Sequence, residues 1–402
     1  MTSKRILLIC GTRPEIIKMA PVWKAIAATP GLEPLLLHTG QHTDLAMPLY
    51  ALFGMLPTVT LDLTRTDSTL AHLNALLLEK IGSAVRELAP DVVLVHGDTA
   101  SACMGALAAF YEKIPVGHVE AGLRTGEKYS PFPEEMNRCI IGRVATWHYA
   151  PTALSRAALL AENIAARDIC MTGNTVIDAA RLTAKLVDSE ATVPFWAENK
   201  LSARVAGHKL ILVTAHRREN WGVGLQNIAN ATCDILDKLA DVLVVWPLHA
   251  NPAVADVVRD VFNTRGVDTS RVILCSALDY TALIKVLVNS WLVLTDSGGI
   301  QEEAAAFGIP VVVLRDSTER PELIDAGGGV LVGSDRRAIR DIAENLHKNP
   351  TAYQAMKDIN NPFGDGTAAL RIATHLQAIL NVVKTGQKAA SVRNISARNI
   401  NF

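Results

Sequence analysis

Two clusters of ionisable residues follow apolar segments of the sequence and have the composition of an acid–base site. In the N-terminal half, Asp98 and Glu120 each come just after a short apolar run. In the C-terminal half, His216 also follows such a run and is succeeded by Arg217 and Arg218. Carboxylates and a histidine transfer protons, and arginines stabilise negative charge as it develops. These residue types therefore indicate proton-transfer chemistry on an anionic substrate.

The position of Asp98 after an apolar run and a glycine predicts a partly desolvated carboxylate, which suits a general base. The alternative is that Asp98 caps a helix beginning near Ala100. Glu120 is expected at the same edge of the sheet. One carboxylate at each of two adjacent strand ends favours a site over two unrelated caps.

A third carboxylate follows in the segment from Ser130 to Arg138. Pro133 suits the first helical position, so Glu134 is predicted in the first helical turn, with Arg138 one turn further along the same face. A plain surface ion pair would have the same spacing. Because the segment comes directly after the Glu120 loop, we favour a role in the site.

Two loops have the features of anion sites. The first strand runs into Gly11 and a helix start that carries the cations Arg13 and Lys18, although an ordinary loop with solvated charges would look alike. The stronger pattern runs from Leu294 to Glu303. There the N–H groups of Ser297, Gly298 and Gly299 are predicted to form a nest for a pyrophosphate, while Glu303 accepts both hydroxyls of a ribose. Arg320 supplies a further cation.

The elements that position these residues are short Val, Ile and Leu runs alternating with helical patterns. Such runs are typical of parallel sheets covered on both faces, and two sets of about six strands predict two doubly wound α/β domains. The candidate strands are 5–10, 34–39, 91–96, 116–119, 146–149 and 169–172, followed by 209–214, 242–246, 272–275, 291–295, 310–314 and 329–332.

The domain boundaries follow from composition. We predict an N-terminal domain of residues 1–173 plus 368–385, in which 368–383 forms a closing helix, and a C-terminal domain of residues 174–367. The polar segment 188–207 resembles a linker helix, and residues 386–402 are expected to form a flexible tail. Length agrees with two domains, since the chain has 402 residues.

Composition excludes several classes of protein. The chain is 49% hydrophobic and 20% charged, with a net charge of -1, which provides no general field for nucleic acid or an anionic membrane. No apolar run approaches the roughly 18 residues of a membrane span, and the start does not read as a signal peptide. Six scattered cysteines predict core residues in a reducing compartment. We expect a soluble, cytoplasmic protein.

Cofactor patterns are missing from the sequence. It contains neither the GxGxxG pattern of a dinucleotide site nor the GxxxxGK[ST] pattern of a P-loop, so we expect neither a nicotinamide cofactor nor a P-loop nucleotide. The histidines lack zinc-site spacing, so no metal is expected.

Eight motifs together resemble those of the non-hydrolysing UDP-N-acetylglucosamine 2-epimerases over about residues 4–383. They are GTRPEIIKMAP, VLVHGDT, PVGHVEAGLRT, YSPFPEEMNR, TGNTVIDA, VTAHRREN, LTDSGGIQEEA and RDSTERPE. The resemblance implies a GT-B fold, in which two Rossmann-like domains face each other across a cleft. It also implies elimination of UDP to a 2-acetamidoglucal and its re-addition, without cofactor or metal, in a homodimer that supplies precursors of surface polysaccharides.

The resemblance assigns roles residue by residue. It implies that the catalytic group is Asp98, Glu120, Glu134, Arg138 and His216. It implies that Arg13 and Lys18 lie at the substrate and that UDP is held by Ser297, Gly298, Gly299, Glu303 and Arg320. The rival functions are a GT-B glycosyltransferase, a hydrolysing epimerase and a catalytically silent UDP-sugar sensor.

The sequence departs from the family pattern in two places. Many bacterial members bind a second substrate molecule as an activator through a QHRxM-like segment and a later arginine, where this chain has Thr43, Asp44 and Asp67. Because carboxylates near a diphosphate are unfavourable, we expect weak or altered activation. Leu283 stands where many relatives place an aromatic residue, which predicts altered packing of uracil.

Overall fold

The chain folds into two compact units, each built on a parallel sheet. A computed structural model describes residues 3–41, 46–189 and 193–380. Unit 1 comprises Met1–Ala179 with Gly366–Phe402, and unit 2 comprises Ala180–Asp365. The expected tail 386–402, and the end of the expected closing helix, lie outside the described residues. Two doubly wound α/β domains are therefore confirmed.

Unit 1 contains a seven-stranded sheet in the order β3-β2-β1-β4-β5-β6-β7, in which every pairing is parallel. Its core strands are continuous apolar runs because both faces are covered by helices. Ile6 to Cys10, for example, are fully buried. The strands are β1 Lys4–Cys10, β2 Leu32–His38, β3 Val59–Thr60, β4 Val92–His96, β5 Val116–Val119, β6 Trp147–Ala150 and β7 Ile169–Met171.

Three helices of unit 1 begin at threonine caps, and the helices pack apolar faces onto the sheet. Thr69, Thr99 and Thr152 each accept a hydrogen bond from the backbone N–H three residues later. The helices are α1 Arg13–Ala28, α2 Met47–Phe53, α3 Leu70–Leu88, α4 Ala100–Tyr111, α5 Glu134–Val144, α6 Ala153–Ala161 and α7 Thr175–Leu186, which extends into unit 2. A 3₁₀ turn spans Ala166–Asp168.

Unit 2 contains a six-stranded parallel sheet in the order β10-β9-β8-β11-β12-β13. Its strands are β8 Lys209–Thr214, β9 Val242–Pro247, β10 Val272–Cys275, β11 Ser290–Thr295, β12 Val311–Val313 and β13 Gly329–Leu331. Its helices are α8 Pro194–Glu198, α9 Leu201–Val205, α10 Val223–Lys238, α11 Pro252–Arg265, α12 Tyr280–Val288, α13 Gly298–Ala305, α14 Pro321–Asp325, α15 Arg336–Lys348 and α16 Pro350–Lys357. Two 3₁₀ turns span Arg218–Asn220 and Thr269–Arg271.

A strand occurs at each place where the sequence predicts one, with ends that differ by at most two residues. Strand β3 was not predicted, because a two-residue edge strand leaves too short a pattern to recognise. The linker interpretation of residues 188–207 is wrong. Trp196 and Leu201 of α8 and α9 are buried, and the Nε1 of Trp196 donates a hydrogen bond to Ser202.

The last described helix, α17, spans residues 368–380 and packs on unit 1. Its first N–H groups, those of Ala368 and Ala369, donate to the buried carboxylate of Asp178. Further along, His375 contacts the ring edges of Trp147 and Tyr149.

Each sheet has one position at which the chain reverses its direction of winding. In unit 1 it lies between β1 and β4, and in unit 2 between β8 and β11. Ligands of open α/β sheets bind beyond the carboxyl ends of the strands at this point. The Arg13 and Asp98 loops follow β1 and β4, and the His216 and Ser297 loops follow β8 and β11. In the described part of the chain, no helix combines the length and apolarity that a bilayer span requires.

Candidate active site

Asp98 forms a salt bridge with Arg138 at the edge of the unit 1 sheet. The Nη2 and Nε of Arg138 lie 2.6 and 2.8 Å from the same carboxylate oxygen, Oδ2. The Nδ2 of Asn137 donates to the main-chain carbonyl of Asp98 at 2.8 Å. The capping alternative for Asp98 is wrong, because the N-cap of α4 is Thr99. The side chain of Asp98 is thus directed to α5 rather than to its own helix.

Arg138 also pairs with the carboxylate of Glu135, three residues earlier, at 3.1 Å. No pairing of Arg138 with Glu134 is found among the described contacts, which contradicts the alternative of a surface ion pair between these two residues. The pair that Arg138 forms with Glu135 is itself buried, since their side chains are 7% and 4% exposed. Burial disfavours ionisation of Glu135, but the N–H groups of Gly126 and Thr125 and the Arg138 guanidinium lower its pKa overall.

Glu134 is the first residue of α5, and Pro133 is the N-cap rather than the first helical residue. The half-buried Glu134 lies where the helix dipole stabilises a negative charge. Among the described residues, its carboxylate forms no hydrogen bond or ion pair. Glu134 is therefore available to a ligand, unlike Glu135 beside it.

Glu120 lies at the end of β5 between two basic side chains. The Nζ of Lys18 is 2.5 Å from its Oε2, and the Nε2 of His96 is 3.5 Å from the same oxygen. Burial disfavours the charged carboxylate, but the Lys18 ammonium and His96 outweigh it and hold the pKa of Glu120 well below its usual range. Glu120 is therefore an anion throughout the neutral range.

The backbone at Glu120 adopts φ +63°, a left-handed conformation that is uncommon for residues other than glycine. Such conformations often occur at functional sites. The turn places the carboxylate beside the Asp98 loop, where a Cβ atom on Gly97 would lie 3.9 Å from Oε1 of Glu120. The Nε2 of the buried His118 contacts the Gly97 carbonyl at 2.8 Å. A carbonyl oxygen can only accept, so Nε2 carries the proton and donates it. Burial lowers the pKa of His118 to about 3, so the ring is neutral.

Arg13 and Lys18 both belong to α1, but they differ in their partners. Lys18 is bound to Glu120 as described, whereas the half-buried Arg13 forms no ion pair with any described residue. The helix start itself is a weaker anion site than the sequence suggests. The N–H groups of Gly11 and Thr12 already donate to the carboxylate of Glu15, at 3.0 and 2.8 Å.

In unit 2, the His216 loop is held by Asp296, a fully buried residue at the end of β11. One oxygen of Asp296 accepts the N–H groups of His216 and Arg217 and the Nδ2 of Asn220, at 2.9, 2.8 and 3.0 Å. The other oxygen lies 3.7 Å from Nδ1 of His216. Burial lowers the pKa of His216, and the Asp296 carboxylate opposes that shift only in part. The ring stacks on His249 at 6.3 Å.

The start of α13 follows β11 directly, as the anion-site pattern requires. One part of the predicted nest is wrong: the N–H of Ser297 donates to Thr295 Oγ1 at 3.0 Å and is already satisfied. No hydrogen bond from the N–H groups of Gly298 or Gly299 to a described residue is found. These two groups, at the positive end of the helix dipole, could receive an anion.

Glu303 and Arg320 are both buried in unit 2. The Nε of Arg320 lies 2.5 Å from Oε1 of Glu302, and its Nη1 donates to the carbonyl of Glu319. Glu302 therefore fixes the guanidinium of Arg320. Within the described residues there is no group of three or more His, Cys, Asp or Glu that could hold a metal ion.

Sequence reasoning missed the residues that orient the candidates: His96, His118, Glu135, Asp296 and Glu302. Two of them had a usable signal, since Glu135 and Arg138 have helical i, i+3 spacing and Asp296 directly follows an apolar strand. The others pair across long sequence separations that no local pattern reveals. The structure brings Asp98, Glu120, Lys18 and Arg138 to one edge of unit 1, and His216 and the Gly298 loop to one edge of unit 2.

Comparison with known proteins agrees with this architecture. The family model described as UDP-N-acetylglucosamine 2-epimerase matches residues 24–377. The chain is 43% identical to the UDP-N-acetylglucosamine 2-epimerase of Escherichia coli strain K12 over 94% of its length and 98% of that protein. It is 41% identical to the enzyme of the same name from Bacillus subtilis strain 168, over 94% and 96% of the two chains.

Solved structures give the same result. A crystal structure of UDP-GlcNAc 2-epimerase from Neisseria meningitidis bound to UDP-GlcNAc has a TM-score of 0.82 and 37% identity, covering 93% of this chain and 100% of that one. The GT-B fold class, with its two Rossmann-like domains, is therefore confirmed. The chain belongs to the UDP-N-acetylglucosamine 2-epimerase family, whose named members are isomerases.

Proposed function

We propose that this protein interconverts UDP-N-acetylglucosamine and UDP-N-acetylmannosamine by inverting C2, without hydrolysing the nucleotide sugar. The observation that carries the proposal is the arrangement of carboxylates in unit 1. Asp98 and Glu120 follow adjacent parallel strands and are each paired with a cation, while Glu134 begins the neighbouring helix. Three carboxylates at one edge supply the acid and base that inversion at carbon needs.

The chemistry follows from the position of C2. Its proton is not next to a carbonyl and is therefore not acidic. A carboxylate removes it while the C–H electrons form a C1–C2 double bond and the C1–O bond breaks, so that UDP leaves with the electron pair. The intermediate is a 2-acetamidoglucal. UDP then adds back to C1 as a carboxylic acid delivers a proton to the other face of C2.

The carboxylates Asp98, Glu120 and Glu134 share the acid and base roles on the two faces of the sugar. Each such role typically contributes about a hundredfold to ten-thousandfold to the rate. Arg13, Arg138 and His216 stabilise charge on the departing phosphate, a contribution of about 3 kcal/mol per well-placed group. Lys18 keeps Glu120 ionised.

The nucleotide is held by unit 2. The N–H groups of Gly298 and Gly299 face the diphosphate at the helix start, while Glu303 accepts the ribose hydroxyls and Arg320 adds a positive charge. The N–H of Ser297 already donates to Thr295, so we assign the contact of Ser297 with the diphosphate to its side-chain hydroxyl. Support comes from the Neisseria meningitidis structure, which contains UDP-GlcNAc.

The direct test is an NMR time course with UDP-N-acetylglucosamine alone in heavy water. We expect UDP-N-acetylmannosamine to appear with deuterium at C2. Product without isotope at C2 would contradict the elimination route. Accumulation of free N-acetylmannosamine and UDP would indicate a hydrolysing epimerase, and no change without an added acceptor would favour a glycosyltransferase or a sensor.

We also propose that activation by a second substrate molecule is weak in this chain. Asp67 is described, whereas Thr43 and Asp44 lie outside the described residues. The carboxylate of Asp67 accepts the N–H and hydroxyl of Thr69, which lowers its pKa. It is therefore anionic at neutral pH and repels a diphosphate. Initial rates should depend hyperbolically on substrate concentration, and a sigmoidal curve would contradict the proposal.

The biological setting is proposed with the activity. The free cysteines of the described chain support a reducing compartment, which agrees with action in the cytoplasm. The resemblance to the family supports a homodimer, which light scattering would test. The product would supply surface-polysaccharide precursors.

A further inference from the structure

Glu15 is a fully buried carboxylate that joins two loops of unit 1. Its Oε2 accepts hydrogen bonds from the N–H groups of Gly11 and Thr12 and from the Thr12 hydroxyl, at 3.0, 2.8 and 2.9 Å. Its Oε1 accepts a hydrogen bond of 2.7 Å from the hydroxyl of Thr99, which lies 84 residues away. The first three contacts form a helix cap, whereas the fourth reaches another element.

The hydroxyl of Thr99 accepts one hydrogen bond and donates another. Its Oγ1 accepts the N–H of Ala102 at 3.0 Å, which caps α4, and donates its proton to Glu15. Both roles use one hydroxyl, so the direction of the O–H bond is fixed by its two partners. Thr99 is also the residue directly after Asp98. Any movement of its side chain is therefore passed to the backbone that carries the Asp98 carboxylate.

The two loops are in close contact around this carboxylate. A Cβ atom on Gly11 would lie 2.1 Å from Oγ of Ser101 and 2.3 Å from Oγ1 of Thr39, so only glycine permits the approach. Burial raises the pKa of Glu15, and the donors from Thr99, Gly11 and Thr12 oppose that shift. Burying a carboxylate destabilises the folded state unless its oxygens accept hydrogen bonds. The four hydrogen bonds to Glu15 offset this destabilisation.

From this geometry we infer that Glu15 is a positioning residue, which uses Thr99 to hold the Asp98 loop in register with the Arg13 loop. The inference rests on the proposed function, in which Asp98 and Arg13 contact the substrate. The described hydrogen bonds of the Glu15 carboxylate all go to these two loops. A displacement of about 1 Å at a reacting group can cost about a hundredfold in rate, so the link matters for turnover.

The competing interpretation is that Glu15 and Thr99 merely cap their helices. It predicts a loss of stability and no specific loss of rate. Thr152 offers a matched control, because it caps α6 by accepting the Ser155 N–H at 3.2 Å. Thr152→Ala therefore removes a threonine cap from a different helix of unit 1. Its thermal midpoint should fall by roughly 2–4 °C.

The experiment compares Thr99→Ala, Thr99→Ser and Thr152→Ala in the full chain. For each variant, kcat, the dissociation constant of UDP and the thermal midpoint are measured. We expect Thr99→Ala to lower the midpoint about as much as Thr152→Ala, but to lower kcat about tenfold to hundredfold with UDP affinity within twofold. Thr99→Ser, which keeps the hydroxyl, should restore kcat to within about threefold.

A double-mutant cycle with Glu15→Gln provides the second measurement. If the two residues act through one link, Glu15→Gln with Thr99→Ala should lose no more kcat than the more severe single variant. The inference is overturned if Thr99→Ala reduces kcat no more than Thr152→Ala does. It is also overturned if the fold losses of kcat in Glu15→Gln and Thr99→Ala multiply in the double variant. The thermal midpoint of Glu15→Gln shows whether that variant folds. If it does not, the comparison of Thr99→Ala, Thr99→Ser and Thr152→Ala decides the question.

Failure of this inference is distinguishable from failure of the proposed function. The wild-type protein either incorporates deuterium at C2 or does not, whatever the variants do. If it does, and the variants behave as simple capping losses, the activity stands and only the positioning role of Glu15 is excluded.

Discussion

Arg138 holds Asp98 by one oxygen, with its Nη2 and Nε at 2.6 and 2.8 Å from Oδ2, and holds Glu135 with its remaining nitrogen at 3.1 Å. The ion pair of Arg138 with Asp98 joins the loop after β4 to helix α5. It leaves the second oxygen of Asp98, Oδ1, free of described hydrogen bonds. A carboxylate fixed by one oxygen has the other available to receive a proton.

Arg138→Lys should reduce kcat by about tenfold to hundredfold, because an ammonium cannot reproduce the three nitrogen contacts of the guanidinium. Arg138→Met should destabilise unit 1 by about 3–5 kcal/mol, since it leaves a buried carboxylate without its cation. Steady-state kinetics and chemical denaturation measure the two effects. Arg143→Lys is the control, because the exposed Arg143 lies on the same helix and, among the described residues, donates only to the carbonyl of Glu162. Equal losses in both lysine variants would contradict the assignment.

Glu120→Gln should lower kcat by about a hundredfold to ten-thousandfold, because it removes both a proton-transfer group and the partner of Lys18. The matched control is Glu112→Gln, which breaks the exposed pair of Glu112 with Arg86 at 2.9 Å. Surface pairs contribute little, so this variant should retain full activity. A Glu120→Gln variant with more than a tenth of wild-type kcat would exclude the residue from the chemistry.

The lowered pKa of His216 predicts that its ring is neutral in the free protein at neutral pH. If the ring faces the departing phosphate, bound UDP favours the imidazolium and should raise the pKa. Proton NMR of the His216 ring would follow the titration with and without UDP, with His216→Asn used to assign the signal. We expect a midpoint below 6.5 that moves upwards with UDP. A midpoint insensitive to UDP would place the ring away from the phosphate.

The buried His118 makes stability depend on pH. Its pKa is lowered to about 3 in the folded chain, whereas the unfolded value is about 6.5. Between these values the unfolded state binds more protons, so the free energy of unfolding falls as pH falls, by about 2 kcal/mol at pH 5. Denaturation of wild type and His118→Gln at pH 7 and pH 5 measures the difference. His118→Gln should lose less stability on acidification, and an unchanged pH dependence would contradict the assignment to His118.

The sequence by itself determined the fold class and the positions of the strands. Continuous apolar runs such as Val92 to Val95 carry their own signal, because a strand buried on both faces needs apolar residues at nearly every position. The residue types of the site were also readable, since a charged group directly after such a run lies at a strand end. Asp98, Glu120 and His216 were found in this way. The alternative roles of Asp98 could not be separated, because a cap and a catalytic carboxylate occupy the same position in sequence.

Only the tertiary structure decided which groups pair. Lys18 meets Glu120 across 102 residues, and Glu15 meets Thr99 across 84. These pairs depend on the sheet order, which makes β4 the neighbour of both β1 and β5, and on side-chain direction. Local patterns encode neither property, because the free energy of a pair is set by elements that are distant in the chain and adjacent only after folding.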